Sequence, residues 1–420
     1  MNVLRLLAYY QPEQTAGIHL ISELSEGLTA AGMRVITYTP DPTRGIPAEI
    51  RQEYKKRREE TLHEGREIVH RFPMFSEGSN PIQRALRYLM CNVKEYRLGT
   101  REKDIDLVYS SSTPPTQGFL SGMAAGKLSR KQGHRVPFVY NLQDIFPDSL
   151  ANTGMTRKGS LLWKIGRSIE NATYRRADRI IVISEGFRRN LLAKGVPDGK
   201  IAVVSNWVDL DQVKPVPREE NRLFQELGID EDTFVVVYAG NIGEAQGAEV
   251  ILDAARLLED EKQIRFVIFG GGPRFEALQE RVRSEGFSNL TITGLMPLER
   301  VSEVYSMGDA ALITCRKGTG GAGMPSKTWS ILACGTPIIA SFDTESDLAD
   351  VLKASGAGCC VDPENPQSLA DAIREAFRTR PKTAAAMESL RAYAMRTASR
   401  EACVGEYIRQ FREVLQEARE

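Results

Sequence analysis

The sequence has no excess charge of either sign and no long apolar run. Its 55 Lys and Arg residues balance 55 Asp and Glu residues, whereas a general nucleic-acid binder shows a basic excess. No stretch approaches the ~18–20 consecutive apolar residues of a membrane span. The apolar stretch after Met1 is short and runs into polar Gln11-Pro12-Glu13, so no signal peptide is expected. These absences predict a soluble cytoplasmic protein that does not bind nucleic acid.

Cysteine and histidine are too few and too scattered for a structural zinc site. The 420 residues include six cysteines and four histidines, and no two cysteines form a C-x-x-C pair. Structural zinc sites need such closely spaced ligands. We therefore expect no structural zinc and a reducing compartment, in which disulfide frameworks are rare.

The zero net charge hides a difference between the two halves of the chain. Residues 1–210 contain 31 basic and 22 acidic residues, and residues 211–420 carry the opposite imbalance. A basic half is suited to an anionic membrane surface or to a phosphate-bearing acceptor. Mutual attraction of the two halves is the simpler alternative.

Strand-like and helix-like segments alternate along most of the chain. The pattern opens with a strand–helix–strand unit over residues 3–38, resumes near residue 105 and begins again at residue 234. Such alternation is typical of α/β folds with parallel sheets and predicts two doubly wound domains. The breaks predict a first domain at 1–210 with a helical insertion at about 41–104, a linker at 211–224, a second domain at 225–383 and a helical tail at 384–420.

The predicted insertion contains an amphipathic helix at residues 81–98. Ile82, Leu86 and Leu89 share a face with Met90, and basic residues such as Arg84 flank it. A basic amphipathic helix can lie on a membrane surface, although such helices more often pack on their own domain.

Three glycine-bearing loops follow predicted strands, where backbone N–H groups can hold phosphate. Plain tight turns are the alternative for the first two loops. The loop residues singled out as ligand-binding are Gly240, Asn241, Gly243 and Gln246 in the first loop, Gly270, Gly271, Gly272 and Arg274 in the second, and Gly323, Met324, Pro325, Ser326 and Lys327 in the third. Gly17 after the first predicted strand and Ser330 in the helix after the third loop complete the expected ligand-binding set.

The third loop carries the strongest indication of an anion site. Four glycines between residues 318 and 323 precede a predicted helix, and Pro325 is expected in its first turn. Lys327 follows at once, where its ammonium can reach an anion held by the helix end. The spacing fits neither a Walker A loop nor a dinucleotide-binding G-x-G-x-x-G after the first strand.

Four motifs in chain order resemble those of one enzyme family. They are Tyr10-Gln11-Pro12-Glu13 with Gly17, the segment Ala177-Asp178-Arg179 to Ser184-Glu185, Asn206-Trp207-Val208-Asp209, and Pro325-Ser326-Lys327 with Ala333-Cys334-Gly335-Thr336-Pro337. Together they resemble the GT-B glycosyltransferases of family four. The similarity is greatest to bacterial enzymes that build O-antigen and capsular polysaccharide, including N-acetyl-fucosamine transferases.

This resemblance implies a fold and a reaction. The expected fold is two Rossmann-like domains facing a central cleft, with the C-terminal helix returning to the first domain. The expected reaction is metal-independent, retaining transfer from a UDP-sugar, an N-acetylated or 6-deoxy hexosamine. The expected acceptor is a sugar on undecaprenyl diphosphate, met at the inner face of the plasma membrane, and no cofactor is expected.

The chain departs from the family where the donor is contacted. Asn241 and Gln246 stand where the family has an arginine and a lysine, and Ala322 and Ser330 replace two glutamates. The resemblance therefore leaves Lys327 and backbone N–H groups as the expected donor contacts, with Arg274, Arg316 or Lys317 as further candidate cations.

Asp144 and His19 are the candidate catalytic residues on the acceptor side, beside Lys327 on the donor side. Asp144 follows a predicted strand, and His19 begins the first predicted helix, at the same expected cleft end. A carboxylate can orient a histidine that takes a proton from a hydroxyl. The alternatives are that Asp144 caps a turn and that His19 is merely packed. Such a pair resembles inverting enzymes, whereas family-four members are retaining.

Other functions remain open at this point. The missing glutamates would also fit a catalytically silent partner subunit, and a UDP-sugar epimerase shares the fold. A dehydrogenase is a distant third, because the dinucleotide-binding glycine pattern is absent.

Overall fold

The molecule is described by a computed structural model. It describes residues 1–14, 17–77, 81–149, 156–230 and 232–420. The strands are Asn2–Leu6 (β1), Arg34–Pro40 (β2), Glu59–Leu62 (β3), Glu67–Phe72 (β4), Leu107–Ser111 (β5), Phe138–Leu142 (β6), Arg179–Val182 (β7), Ile201–Val203 (β8), Phe234–Asn241 (β9), Ile264–Gly271 (β10), Leu290–Gly294 (β11), Ala310–Thr314 (β12), Ile338–Ser341 (β13) and Gly358–Val361 (β14).

Helices alternate with these strands. They are Ile18–Ala30 (α1), Ala48–Lys56 (α2), Pro81–Gly99 (α3), Gln117–Gln132 (α4), Leu161–Arg176 (α5), Glu185–Ala193 (α6), Leu223–Leu227 (α7), Glu249–Leu257 (α8), Phe275–Glu285 (α9), Val301–Met307 (α10), Lys327–Ala333 (α11), Asp347–Ser355 (α12), Pro366–Thr379 (α13), Ala384–Ala398 (α14) and Arg400–Arg419 (α15). Within the described residues, no helix is long and apolar enough to span a bilayer.

Each of two compact units holds its own sheet, and both are Rossmann-like, as predicted. The first unit comprises residues 1–205 with 403–420, and the second comprises 206–402. The first sheet has the order β3-β4-β2-β1-β5-β6-β7-β8, and the second has the order β11-β10-β9-β12-β13-β14. Neighbouring strands are parallel except β3, which pairs antiparallel with β4 at the edge of the first sheet.

The boundaries of these units differ from the predicted ones. The segment predicted as a linker, 211–224, belongs to the second unit, as does α14. The segment is fixed by hydrogen bonds: Lys214 N and Val216 N donate to the hydroxyls of Ser302 and Ser306 at 3.2 and 3.0 Å. Pro215 and Pro217 therefore shape a fixed segment of the second unit.

The predicted helical insertion at 41–104 is wrong in its middle part. Residues 59–72 form β3 and β4, and β4 pairs parallel with β2. The inward positions of β4 include Glu67 and Arg71, so the apolar alternation that marks a strand is missing. Glu67 is fully buried and accepts hydrogen bonds from the hydroxyls of Tyr10 and Thr37, both at 2.9 Å. Residues 78–80 of this segment lie outside the described residues.

The tail after residue 402 packs in the first unit, as the predicted returning helix requires. A Cβ on Gly27 of α1 would lie 2.2 Å from Val404, so α1 and α15 meet at a position that accepts only glycine without adjustment. Tyr407 and Phe411 of α15 pack on Tyr109 of β5, with ring centroids 6.4 and 5.6 Å apart.

The second sheet is buried on both faces. Successive side chains of β9 point into two different apolar clusters: Val235 and Val237 join one, and Val236 and Tyr238 join the other. Burial on both faces explains why the sequence of β9 is a continuous apolar run. The arrangement leaves the loops after the strands free to bind a ligand.

Candidate active site

The second sheet has a topological switch point between β9 and β12. The chain runs from β9 outward through β10 to β11 and then returns to the other side of β9 as β12. Ligands of open α/β sheets bind outside the carboxyl ends of the strands at such a point. The loops after β9 and β12 are the first and third predicted glycine loops, so the candidate donor site lies here.

The three glycine loops form one connected surface. Ile242 N donates to Gly271 O at 2.7 Å, which joins the first loop to the second. Arg316 N donates to Ala245 O at 2.9 Å, which joins the third loop to the first. Gly272 has φ +128°, and a Cβ there would lie 2.9 Å from the Ile242 carbonyl oxygen. Glycine is therefore needed where the loops touch.

Lys327 brings a cation into the centre of this surface. Its Nζ lies 4.1 Å from the centroid of the Tyr238 ring, in cation–π contact. A Cβ on Gly240, which has φ +134°, would lie 2.9 Å from the same Nζ. Among the described residues, the ammonium has no hydrogen-bond acceptor and no carboxylate partner. It is a partly buried cation that lacks an anion.

The surroundings weaken the charged form of Lys327. Desolvation lowers the pKa of its ammonium from 10.5 to about 7. A bound phosphate would supply the missing counter-charge and return the pKa toward its usual range. The position of Lys327 and its lowered pKa are therefore both suited to an anionic ligand.

The two polar residues that replace the family's cations bind each other. Asn241 Nδ2 donates to Gln246 Oε1 at 3.0 Å, and Gly243 N donates to the same oxygen at 3.1 Å. The backbone carbonyl oxygen of Gln246 accepts a hydrogen bond from Thr314 Oγ1 at 2.7 Å. Asn241 and Gln246 thus fix the shape of the first loop.

Two of the other candidate cations are already paired. Arg274 contacts the carboxylates of Glu249 at 2.7 Å and Glu244 at 3.5 Å. Arg316 contacts Glu244 at 3.0 Å and Glu364 at 3.8 Å. The ammonium of Lys317 has no carboxylate partner among the described residues, but its side chain is exposed, whereas Lys327 lies at the switch point of the sheet.

The helix after the third loop starts slightly later than predicted. α11 begins at Lys327, so Pro325 lies two residues before it rather than inside its first turn, and Thr328 N donates to Pro325 O at 3.0 Å. Gly323 and Met324 precede this turn, and their backbone N–H groups donate to no acceptor in the described part of the chain. Ser326 is exposed.

Asp343 holds the third loop, and the sequence did not indicate it as a site residue. Its two carboxylate oxygens accept from Gly318 N at 2.9 Å and Gly320 N at 2.7 Å. A Cβ on Gly320 would lie 2.6 Å from the Phe342 ring, so glycine permits this close approach. The available signal was an acidic residue two positions after β13, at the ligand end of the sheet.

We expect Asp343→Ala to weaken nucleotide binding by about tenfold. The change removes the acceptor of two backbone hydrogen bonds, each contributing roughly 0.5–1.5 kcal/mol, and frees the loop. Glu345→Ala is the matched control, because Glu345 is exposed in the same loop. Calorimetric titration with UDP measures the effect; equal affinities of the two variants would show that the loop needs no such anchor.

On the acceptor side, Asp144 follows β6 and is bound into its own turn. Its carboxylate accepts hydrogen bonds from the Ser149 hydroxyl and the Ile145 backbone N–H. Its own N–H donates to Ser112 Oγ at 3.1 Å, which ties it to the end of β5. The side chain is exposed, yet nearby protein atoms displace enough water to raise the pKa of its carboxyl. The turn-capping alternative thus has direct geometric support.

His19 does not join Asp144. It lies exposed in the first turn of α1, two residues after Gly17, which has φ +75°. In the described structure, no hydrogen bond or ion pair connects His19 to Asp144 or to another carboxylate. The predicted histidine–carboxylate pair is therefore not formed.

Solved structures show how widely this architecture occurs. Sucrose-phosphate synthase from Thermosynechococcus elongatus superposes with a TM-score of 0.74 at 17% identity, over 99% of this chain and 100% of that one. Anabaena HepE in complex with UDP gives a TM-score of 0.71 at 16% identity, over 98% of this chain and 100% of that one. At these identities the likeness establishes the fold.

Two family profiles match consecutive parts of the chain. Glycosyl transferase 4-like domain matches residues 18–207, and Glycosyl transferases group 1 matches residues 219–393. The chain is a glycosyltransferase with the GT-B fold. An Escherichia coli relative named for colanic acid biosynthesis, the glycosyl transferase WcaI, is 26% identical to this glycosyltransferase over 97% of the chain and 100% of its own length.

A second relative matches part of the glycosyltransferase. WbjE of Pseudomonas aeruginosa, named as a glycosyltransferase, is 29% identical over 57% of this chain and 59% of its own length.

In the present enzyme, Ala322 ends a 3-10 turn in the third loop, and Ser330 lies one turn into α11. Neither residue type can supply a carboxylate, so donor contacts there fall to other groups.

Proposed function

We propose that this glycosyltransferase transfers a sugar from UDP to a growing bacterial surface polysaccharide, by a retaining reaction that needs no metal. The observation that carries the proposal is the ammonium of Lys327 at the switch point of the second sheet, which lies over Tyr238 and has no anionic partner in the described part of the chain. A nucleoside diphosphate is the anion that a GT-B enzyme must hold at this end of the sheet.

The chemistry follows from where charge develops. Breaking the sugar–phosphate bond leaves negative charge on the departing diphosphate, which fixed donors stabilise without reorganisation. Lys327 supplies the cation, and Gly323 N and Met324 N supply backbone donors nearby in the third loop. Asn241 and Gln246 shape the first loop, and Gly270 of the second loop lets Ile242 approach, because a Cβ there would lie 2.2 Å from the Ile242 side chain.

The donor and acceptor are proposed from relatives. UDP is favoured because the HepE structure holds it, and a trehalose-6-phosphate protein of Escherichia coli is recorded with UDP-2-fluoro glucose. A surface polysaccharide is favoured because WcaI is named for colanic acid biosynthesis. We propose an N-acetylated or 6-deoxy hexosamine as the sugar and a sugar on undecaprenyl diphosphate as acceptor.

A retaining reaction agrees with the acceptor-side geometry. An inverting reaction needs a base that removes the acceptor proton, and within the described residues no carboxylate contacts His19 to orient it. Asp144 is held by its own turn, and we propose that it positions the acceptor hydroxyl. In a retaining reaction the departing diphosphate itself can take that proton.

The first experiment is calorimetric titration of the full chain with UDP in EDTA, with GDP and ADP as controls. We expect UDP to bind selectively and without metal. Transfer from a panel of UDP-sugars to undecaprenyl-diphosphate-linked sugars then identifies the substrates. Failure of all three nucleotides to bind, or binding only after Mg²⁺ is added, would overturn the proposed donor site.

A further inference from the structure

Three arginines of the first unit surround one carboxylate, that of Glu77 between β4 and α3. Arg84 Nε lies 3.5 Å from its Oε1, and Arg87 Nη1 lies 3.9 Å from its Oε2. The guanidinium of Arg44 lies 5.7 Å from the centroid of the Tyr9 ring, where it also attracts the Glu77 carboxylate. We give the name anion cradle to Tyr9, Arg44, Arg84, Arg87 and Tyr88.

Two tyrosine hydroxyls bind the same carboxylate. Tyr9 Oη donates to Glu77 Oε2, and Tyr88 Oη donates to Glu77 Oε1, each at 2.9 Å. Tyr9 is buried and Tyr88 is half-buried, whereas Arg44 and Arg84 are exposed. The cradle therefore has fixed donors at its base and cations that a ligand can reach from solvent.

Glu77 leaves one donor of the cradle unused. The Arg87 side chain is fully buried, and it donates through Nε to Phe75 O at 3.0 Å and through Nη2 to Thr43 Oγ1 at 3.3 Å. Its Nη1 has no hydrogen-bond partner among the described residues, because the Glu77 carboxylate at 3.9 Å is too distant to accept one. An unused buried donor is costly, so an anion with an oxygen closer to Nη1 would bind more favourably than Glu77 does.

Two more carboxylates attract Arg87 from farther away, and both are bound by other donors. Glu13 Oε1 accepts from the backbone N–H groups of Thr43 and Arg44 at 2.8 and 3.1 Å. Glu95 Oε1 accepts from a thiol one turn away on α3 at 3.2 Å. Glu77 is therefore the carboxylate that occupies the cradle itself.

The cradle lies at the ligand edge of the first sheet. The chain passes from β1 to β2 and β4 and then returns to the other side of β1 as β5, which gives a topological switch point between β1 and β5. Tyr9 lies three residues after β1, and Arg44 lies four residues after β2. Ligands of such sheets bind beyond these carboxyl ends, and Asp144 follows β6 at the same edge.

We propose that the anion cradle binds a carboxylate or phosphate group of the acceptor glycan, and that Glu77 occupies the cradle as an internal ligand until this group displaces it. Arginines recognise both oxyanions through several donors at once. Residues 73–77 form no backbone–backbone hydrogen bond with other described residues, so Glu77 can leave without breaking a helix or strand. The inference rests on the proposed function and deepens it, because the cradle would select anionic acceptors over neutral ones.

Calorimetric titration of Glu77→Gln with small sugars tests the cradle. Glucuronate, glucose 1-phosphate and neutral glucose are added at constant ionic strength to the full chain carrying Lys327→Met, so that the donor loops do not bind the anions. An internal ligand that occupies a site about nine-tenths of the time lowers the apparent affinity about tenfold. Glu77→Gln should therefore bind at least one anionic sugar about tenfold more tightly, whereas Glu49→Gln, an exposed acid of α2, should change nothing.

The two anionic sugars distinguish the two sources of the charge. A gain for glucuronate assigns the cradle to a carboxylate on the sugar, and a gain for glucose 1-phosphate assigns it to a phosphate. Anion binding by Glu77→Gln that is no tighter than by Glu49→Gln, or an equal gain for neutral glucose, would overturn the proposal.

The arginines are tested at the two exposed positions, which leaves the buried Arg87 in place. In the Glu77→Gln background, Arg44→Met and Arg84→Met should each weaken binding of the anionic sugar at least fivefold. Arg34→Met, at the opposite end of β2, is the matched control and should not. Unchanged anion affinity in both cradle variants would also overturn the proposal.

UDP titration of the chain with its native Lys327 separates this inference from the proposed donor site. Absence of UDP binding together with tighter anion binding by Glu77→Gln refutes the donor site alone. Normal UDP binding with no gain in Glu77→Gln refutes the cradle alone.

Discussion

Lys327→Met is expected to raise the dissociation constant for UDP by about 10–100-fold. The ammonium has no anionic partner among the described residues and lies over Tyr238 at the switch point of the sheet, so it is free to bind the diphosphate. A hydrogen bond to a charged group contributes roughly 1.5–3 kcal/mol, which gives this range. Methionine keeps an unbranched stem over Tyr238, so the packing is preserved while the charge is removed.

The same variant should be at least as stable as the native protein. Burial lowers the pKa of Lys327, so folding disfavours its charged form, and methionine removes that penalty. Thermal melting at pH 7 checks this and excludes unfolding as the cause of weak binding. Lys353→Met, an exposed lysine of the same unit, is the matched control and should bind UDP as the native chain does. Unchanged UDP affinity in Lys327→Met would remove this residue from the site.

The sequence predicted the fold well because local pattern and burial agree over most elements. β9 and β10 are long apolar runs between glycine-bearing loops, and the structure keeps them as neighbours. The strand β4 escaped prediction because Glu67 and Arg71 occupy inward positions, and only partners distant in sequence make their burial tolerable. The periodicity of apolar residues along the sequence does not reveal that distant partners stabilise the buried Glu67 and Arg71.

The sequence predicted the site residues that are recognisable from their own loop. It could not predict those whose role depends on contacts with residues distant in sequence. A lysine after a glycine-rich loop is visible in the sequence, and the structure places Lys327 beside Gly240. The pairing of Arg316 with Glu364, 48 positions away, and the anchoring role of Asp343 depend on how the loops meet. The sequence therefore placed Lys327 first among the cations, and the structure adds the ion pairs that occupy Arg274 and Arg316.

UDP affinity is expected to fall by up to tenfold between pH 7.5 and 8.5. The free enzyme loses the Lys327 proton as pH rises through about 7, whereas the bound diphosphate holds that proton to higher pH. Because the ligand prefers the protonated form, binding above pH 7 takes up a proton, and affinity decreases with rising pH. Below pH 7 the lysine is already charged, so its contribution levels off.

Calorimetry at pH 8 in two buffers of different ionisation enthalpy measures this uptake, which should approach one proton per UDP. Phosphates with a pKa near 6 are already ionised at that pH, so the ligand contributes little. Lys327→Arg is the decisive control, because a guanidinium stays charged throughout and its binding should neither take up a proton nor change between pH 7.5 and 8.5. Proton uptake that persists in Lys327→Arg would assign the linkage to another group, and no uptake in the native enzyme would mean that Lys327 is charged before UDP arrives.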